Sequence, residues 1–411
     1  MDTLAPPEHL EPVLDAVTAV SEPYEGVFLV GGTVRDILLG EPGFDVDIAV
    51  EGDAIALAGA LAEALDGRVK AHAKFGTAVV LYGADQRVDV ATARTESYHA
   101  PAALPSVEHA PLRDDLFRRD FTINAMAVSL KREDRGELFD PFEGRVDLEA
   151  GRVRVLHDRS FIDDPTRIFR AIRYENRYGF RMDEHTEALA RRSIEAGHLS
   201  DLSGARVRDE LELMLEEGDV HHSIVRLGEL GAAPAIHAGL VADEETAALF
   251  DRLRELNERH RLGIPGWRLG FAAIARGVPS EELIPWLDAL KVRRRDTQHI
   301  AAAVTLGPQI VDRLSSDSLS PAELVALAEP HAPDAPLFAL ALTDLPQLHE
   351  YFERLGSIRL EITGRDVAEL GLGESPRVGE VLAELRRRKL NGELDGRESE
   401  LAAARELIEQ T

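Results

Sequence analysis

Cysteine is absent from all 411 residues. That excludes disulfide scaffolds, thiolate zinc sites and cysteine nucleophiles, and leaves oxygen and histidine as metal ligands. No stretch approaches the ~20 consecutive apolar residues of a membrane span. Met1-Asp2-Thr3 and the following Pro6-Pro7-Glu8 have neither the basic nor the apolar region of a signal peptide, which predicts a cytoplasmic protein. Positive charge is also scarce, with 47 Lys and Arg against 74 Asp and Glu for a formal net charge of -27. An acidic average speaks against loose, general phosphate binding. The basic residues are clustered, however, at Arg118-Arg119, Arg152/Arg154, Arg167 to Arg181, Arg293-Arg294-Arg295 and Arg386-Arg387-Arg388-Lys389. Three chemical signatures are missing as well. No Gly-Lys-Ser/Thr follows a glycine loop, no third glycine completes a dinucleotide fingerprint, and no Gly-x-Ser-x-Gly elbow offers a serine nucleophile. His157 and His221-His222 lack the helical spacing of a zinc motif.

Hydrophobic content of 44% and charged content of 29% are those of a globular protein, and the length predicts two to four domains at ~100–200 residues each. The first third reads as mixed α/β. Val27 to Val30 is an apolar run ending at Gly31-Gly32, and Thr33 to Leu39 is a helix stopped by Gly40. Phe44 to Val50 and Arg87 to Ala91 alternate with period two, Thr77 to Leu81 is a strand, and Ala54 to Leu65 is an apolar-rich helix. From about Pro165 helical periodicity takes over, and glycine and proline clusters near 263–266, 330–336 and 371–379 punctuate it.

Asp45-Val46-Asp47 lies in one alternating segment, so both carboxylates are expected on one sheet face with Val46, Ile48 and Val50 in the core. Paired acids repel, and a divalent cation with hard oxygen ligands relieves them. Asp89 between Val88 and Val90 supplies a third acid if its strand lies alongside. Taken alone, Asp-x-Asp reads rather as an exposed strand edge. Gly31-Gly32 before a helix allows close backbone approach to a polyphosphate at the positive helix end, with Arg35 in the first turn; alone it reads rather as a plain strand-to-helix turn. Arg118-Arg119-Asp120 interrupts the apolar stretch that continues to Ala125, where solvent-exposed arginines are the plainer reading. Asp163-Asp164-Pro165 opens a helix with Asp164 as its expected N-cap, and Arg167, Arg170, Arg173 and Arg177 share one face. Four like charges need an anion, an acidic surface or full solvation.

The ordered blocks Leu29-Val-Gly-Gly-Thr-Val-Arg-Asp36, Asp45-x-Asp47, Asp89-Val-Ala-Thr-Ala-Arg94, Arg118-Arg-Asp-Phe-Thr-Ile-Asn-Ala125 and Asp163-Asp-Pro-Thr-Arg167 resemble the class II tRNA nucleotidyltransferase and bacterial poly(A) polymerase family. Asp140-Pro141, Leu202-Ser203 through Arg206 and Glu210, and Ile362-Thr-Gly-Arg-Asp366 extend the resemblance. It is strong from about residue 27 to 216 and recovers near 362 to 409. It implies an α/β catalytic head (1–155) followed by an all-α neck (156–235), body (236–345) and RNA-binding tail (346–411). By the same resemblance Asp45 and Asp47 bind Mg²⁺, two ions in all, with Asp89 as the third catalytic acid. Gly31, Gly32 and Arg35 hold the triphosphate, and Arg118 or Arg119 the nucleotide. Asp164 and Arg167 read the base of CTP or ATP, supported by Arg170 and Arg173. The implied activity is template-independent addition of CMP and/or AMP to the tRNA 3′ end, with no membrane and no obligate protein partner. Two departures from the family pattern are Asp163, where Glu is frequent, and Ala205, where Glu commonly precedes Arg206. Tyr98 to Pro105 is similar to the segment of A-adding members. A-only, CC-only and poly(A) synthesis therefore stay open, as does a catalytically silent RNA-binding protein.

Overall fold

The computed structural model describes residues 3–41, 45–97, 102, 106–373 and 375–409. They form two compact units, one of residues 1–210 and 230–236, the other of 211–229 and 237–411.

The first unit is built on a seven-stranded mixed sheet in the order β3-β4-β5-β2-β1-β8-β9. Its strands are β1 (Gly26–Val30), β2 (Val46–Glu51), β3 (Arg68–His72), β4 (Thr77–Tyr82), β5 (Gln86–Thr92), β8 (Ala127–Ser129) and β9 (Leu138–Phe139). A separate hairpin pairs β6 (Arg94–Ser97) with β7 (Ser106–His109). The helices of this unit include α1 (Glu11–Val20), α2 (Gly32–Leu39), α3 (Ala54–Ala64), α4 (Leu112–Phe117), α5 (Gly144–Glu149), α6 (Ser160–Asp163), α7 (Arg167–Tyr178), α8 (Glu184–Glu195) and, as far as Glu210, α9 (Gly204–Leu215).

The apolar runs become strands where the sheet buries alternate residues. In β2 Val46, Ile48 and Val50 are core, and in β5 Val88 and Val90 are. Helix α3 begins where the Asp53 carboxylate accepts the amides of Ile55 and Ala56, an N-cap that satisfies otherwise orphaned donors. Its Leu57 and Leu61 are fully buried. Strand β1 passes into α2 through Gly31 at φ 69°, a left-handed value that glycine adopts without a side-chain clash. Gly40 at φ 72° ends the same helix.

The strand expected from Phe44 begins, among the described residues, at Val46. Two features departed from the sequence pattern. Strand β3 is exposed along most of its length, so it carries no alternation to read. Asp164 is not the N-cap of α7; Thr166 holds that position, because the chain reaches helical geometry only after Pro165.

The second unit is helical. The long helix Arg294–Ser316 packs against Asp334–Leu342, with Gly307 so close to the Phe338 ring that a methyl there would sit 2.9 Å from it. One apolar cluster gathers Ile310, Leu314, Val325, Leu340, Leu348 and Leu355, and a second gathers Ile362, Val367, Val381, Leu385 and Ala404. The basic run at 386–389 is neutralised within this unit. Arg386 forms a two-pronged ion pair with Glu329, Arg387 and Arg388 bond Glu384, and Lys389 reaches the buried Glu400 at 2.6 Å. No helix is long and apolar enough to cross a membrane among the described residues.

Candidate active site

The parallel pairing of β2 with β5 sets Asp47 directly opposite Asp89. Both side chains leave the sheet on the face opposite Val46 and Ile48, because strand side chains alternate. The antiparallel pairing of β1 with β2 matches Leu29 to Ile48, so the next residues of β1 deliver the glycine turn beside the acids. Thr33, in the first turn of α2, locks the two together. Its hydroxyl donates to the Asp45 carbonyl at 2.5 Å and accepts the Asp47 amide at 3.3 Å. Thr33 was not singled out from the sequence, since a threonine inside a helix start carries no signal of a partner 12 residues on.

Asp45 stands near enough to Asp47 for its charge to help raise the Asp47 carboxyl. It precedes β2, and its side chain is 75% exposed with Oδ1 3.7 Å from Arg87 Nε. Asp47 is the sequestered member, and no hydrogen bond reaches its carboxylate among the described residues. Burial, and the facing Asp89 after it, push its carboxyl up to about 6, against the opposing pull of Arg119 and Arg87. A buried acid facing another acid without donors suits a hard cation. Among the described residues no cluster of three or more His, Cys, Asp or Glu could hold a metal by itself.

A cavity of about 510 Å³ opens beside the pair, lined by Gly32, Arg35, Asp47, Arg119, Asp164, Arg167, Arg170 and Tyr174 among others. A second cavity of about 430 Å³ lies over the sheet face that carries Asp47 and Asp89 and shares Arg118 and Arg119 with the first. Asp47 lines both spaces and Asp89 the second.

Arg119 also lines both spaces. A methyl on Gly31 would lie 2.5 Å from its Nη1, while its Nη2 bonds Asp115 at 3.0 Å. Arg118, which also lines both cavities, is tied down through Nη1 to Glu96 at 2.8 Å and Nη2 to Asp115 at 2.8 Å. Burial alone would raise the Asp115 carboxyl, but Arg119 and Arg118 together hold it below the ordinary value. Asp115 therefore serves as the ionised anchor of both arginines.

The remaining arginines are placed by acids far away in sequence. Arg170 grips the buried Asp120 through Nε at 2.8 Å and Nη2 at 2.6 Å. Asn124 donates to the other Asp120 oxygen at 2.9 Å and accepts Arg35 Nη1 at 2.5 Å. Arg35 also pairs with Asp36 and lies over the rings of Tyr174 and Tyr178. Arg173 reaches Glu210 at 3.5 Å. The acidic surface that the arginine face of α7 required is thus supplied from within this unit. Asp120, Asn124, Asp115 and Glu210 are the side chains whose roles were missed. The acid Asp120 set just ahead of the stretch Phe121 to Ala125 was a hint to one of them.

Arg167 and Asp164 sit together on the cavity wall. Arg167 is 5% exposed, anchored through Nη1 to Ser160 at 2.7 Å and Nη2 to the Arg118 carbonyl at 2.6 Å. Asp164 Oδ1 accepts from Thr166 and from Arg206 Nη2 at 2.7 Å, while Oδ2 has no bond to any described residue. A fixed guanidinium next to a carboxylate with one committed and one open oxygen presents donors and an acceptor side by side. The segment Tyr98 to Pro105, similar to A-adding members, lies outside the described residues apart from Ala102, whose carbonyl accepts Arg206 Nη1 at 3.0 Å.

A mixed sheet with a carboxylate pair at the end of a glycine turn, opening on an arginine-lined cavity, defines an enzyme that transfers nucleotidyl groups. Residues 27–154 match the family described as poly A polymerase head domain, and 179–242 match the probable RNA and SrmB-binding site of polymerase A. The chain is 36% identical over 392 residues to the A-adding tRNA nucleotidyltransferase of Geobacter sulfurreducens, covering 92% of this chain but 44% of that protein. It is 35% identical to the A-adding tRNA nucleotidyltransferase of Halalkalibacterium halodurans, covering 93% of this chain and 88% of that one. A solved CCA-adding enzyme in its apo form II superposes with a TM-score of 0.86 at 31% identity, covering 99% of this chain and 97% of that one. The Thermotoga maritima CCA-adding enzyme complexed with tRNA gives 0.82 at 29% identity, with 99% and 97% covered. The chain belongs to the tRNA nucleotidyltransferase family.

Proposed function

We propose that this chain adds nucleotides, AMP and/or CMP from ATP and CTP, to the 3′ end of tRNA in the cytoplasm. The observation that carries this is the Asp47–Asp89 pair in register beside the Gly31-Gly32 turn, with Asp47 lining two cavities that can receive a triphosphate and an RNA end separately. Asp47 and Asp89, with Asp45 at the rim, would hold two Mg²⁺ ions. Bound there, such ions supply polarisation of the attacking 3′-hydroxyl and charge stabilisation of the departing pyrophosphate.

The chain's own residues do the rest. Amides at the start of α2 face the phosphates, and Arg119, held by Asp115, presents positive charge beside them. Arg118 braces that anchor from behind. Arg35, Arg170 and Arg173 act mainly by fixing the α7 face against α2 and α9. Asp164 and Arg167 offer an acceptor and donors to the Watson–Crick edge of the incoming base, a pattern that suits A or C and fits G or U poorly. In the second unit Arg293, Arg294 and Arg295 are exposed, with no ion pair to any described residue, and suit an RNA backbone.

Between the family activities, addition of A alone is favoured by a specific observation: among relatives matched over more than nine-tenths of this chain, those named A-adding are 35–36% identical, above the 32% of a CC-adding relative and the 27% of a CCA-adding one. Incubation with Mg²⁺, labelled ATP or CTP, and tRNAs truncated before the tail or after CC resolves this. Extension of the CC-ended tRNA by ATP alone marks A addition, and extension of the shorter tRNA by CTP marks CC or CCA addition. Failure to extend either end refutes the proposal.

A further inference from the structure

We propose that Arg87 is a resident counter-ion of the carboxylate site, released when a divalent cation binds. This rests on the reading of Asp45, Asp47 and Asp89 as cation holders. In β5 Arg87 stands two residues before Asp89, so both side chains project from the same face. The parallel ladder that matches Val46 to Val88 and Asp47 to Asp89 brings Asp45 alongside Arg87 by the same step. The guanidinium accordingly lies between the acids, with Nε 3.1 Å from Asp89 Oδ2 and 3.7 Å from Asp45 Oδ1.

The two cations acting on Asp47 differ in kind. Arg119 is fixed by its bond to Asp115 and by contact with the glycine turn, and is 19% exposed. Arg87 is 53% exposed and its side chain makes no hydrogen bond to any described residue, so charge alone holds the guanidinium on a long, flexible stem. A fixed cation belongs to the site in every state; a loosely held one can leave. Without metal, Arg87 relieves the repulsion among the three acids. A divalent cation offers twice the charge at closer range and takes its place, so Arg87 weakens cation binding by direct competition.

The test is Mn²⁺ binding by the full-length, nucleotide-free protein, followed by electron paramagnetic resonance, for the wild type and Arg87→Gln, Arg87→Lys, Arg132→Gln and Asp89→Asn. Arg132 is exposed in the turn between β8 and β9 and controls for loss of a charge elsewhere. We expect Arg87→Gln to bind Mn²⁺ roughly 3- to 10-fold more tightly, because it removes the Coulomb repulsion between the double charge and the single charge of Arg87 across a solvated gap. The gain should shrink with added salt, Arg87→Lys should stay near wild type, and Arg132→Gln should not change. Affinity unaltered in Arg87→Gln, or an equal gain in Arg87→Lys or Arg132→Gln, overturns the proposal. Asp89→Asn separates this from the reading beneath it. If that variant binds Mn²⁺ as well as wild type, the acids are not the cation site; if it loses Mn²⁺ while Arg87→Gln gains nothing, only the role of Arg87 falls.

Discussion

Replacing Asp47 by Asn should make the metal-free protein more stable while removing its activity. The carboxylate receives no hydrogen bond from any described residue, so an amide of the same shape forfeits little. Its carboxyl is pushed from 3.8 to about 6, by burial first and by Asp89 second, a difference of about 3 kcal/mol at most. The sign follows from proton linkage. A carboxyl whose folded-state value lies above its unfolded value binds its proton more tightly when folded. Its ionised form therefore penalises folding at pH above about 6, and the penalty fades as pH falls toward 3.8. In EDTA at pH 8, Asp47→Asn should unfold in urea with about 1–3 kcal/mol more stability than wild type. At pH 4.5 the gap should fall to about one-third of its value at pH 8. Saturating Mg²⁺ should stabilise wild type and leave the variant unchanged, closing the gap from the other side. A variant less stable than wild type at pH 8 without metal would refute the reasoning, because the carboxylate would then be earning its place through contacts in the fold.

Other perturbations probe separate parts of the site. Asp120→Ala leaves Arg170 without its buried partner and should cost about 3 kcal/mol, the low end for such a loss since Arg170 is 36% exposed; calorimetry showing a transition within a degree of wild type would count against the bridge. Arg206→Ala releases Asp164 Oδ1 and should erode discrimination between CTP and ATP by about 10-fold, read as the ratio of kcat/KM values; an unchanged ratio means Arg206 does not orient the base reader. Reversing Arg293 and Arg295 to Glu should weaken tRNA binding and flatten its salt dependence by about two phosphate contacts, as filter binding at several KCl concentrations would report. Identical salt slopes would place the RNA elsewhere.

The strand, glycine turn and helix from Val27 to Leu39 were legible because apolar run, double glycine and helix stop are local signals. Asp89 was legible for a similar reason, an acid between two apolar neighbours in an alternating strand. Its distance to Asp47 was not, since parallel register depends on a crossover spanning the whole of α3, β3 and β4. Alternation also pointed to Asp45, which precedes β2, but could not show how exposed its side chain is. Helical spacing showed that Arg167, Arg170 and Arg173 share a face but could not show what meets it. Their partners Asp120 and Glu210 come from 50 and 37 residues away. Asp164 read as an N-cap because Asp before Pro commonly is one; here Arg206, from another helix, holds that carboxylate instead.

The central claim is that the acid pair beside the glycine turn carries nucleotidyl transfer rather than RNA binding. Single-turnover incorporation of labelled AMP into CC-ended tRNA by Asp89→Ala, with tRNA affinity measured on the same preparation, tests it most directly. The account predicts a rate at least ~1,000-fold below wild type with tRNA bound within about 3-fold of normal affinity. A variant that still transfers AMP at a comparable rate, or that fails because it no longer binds tRNA, would contradict it.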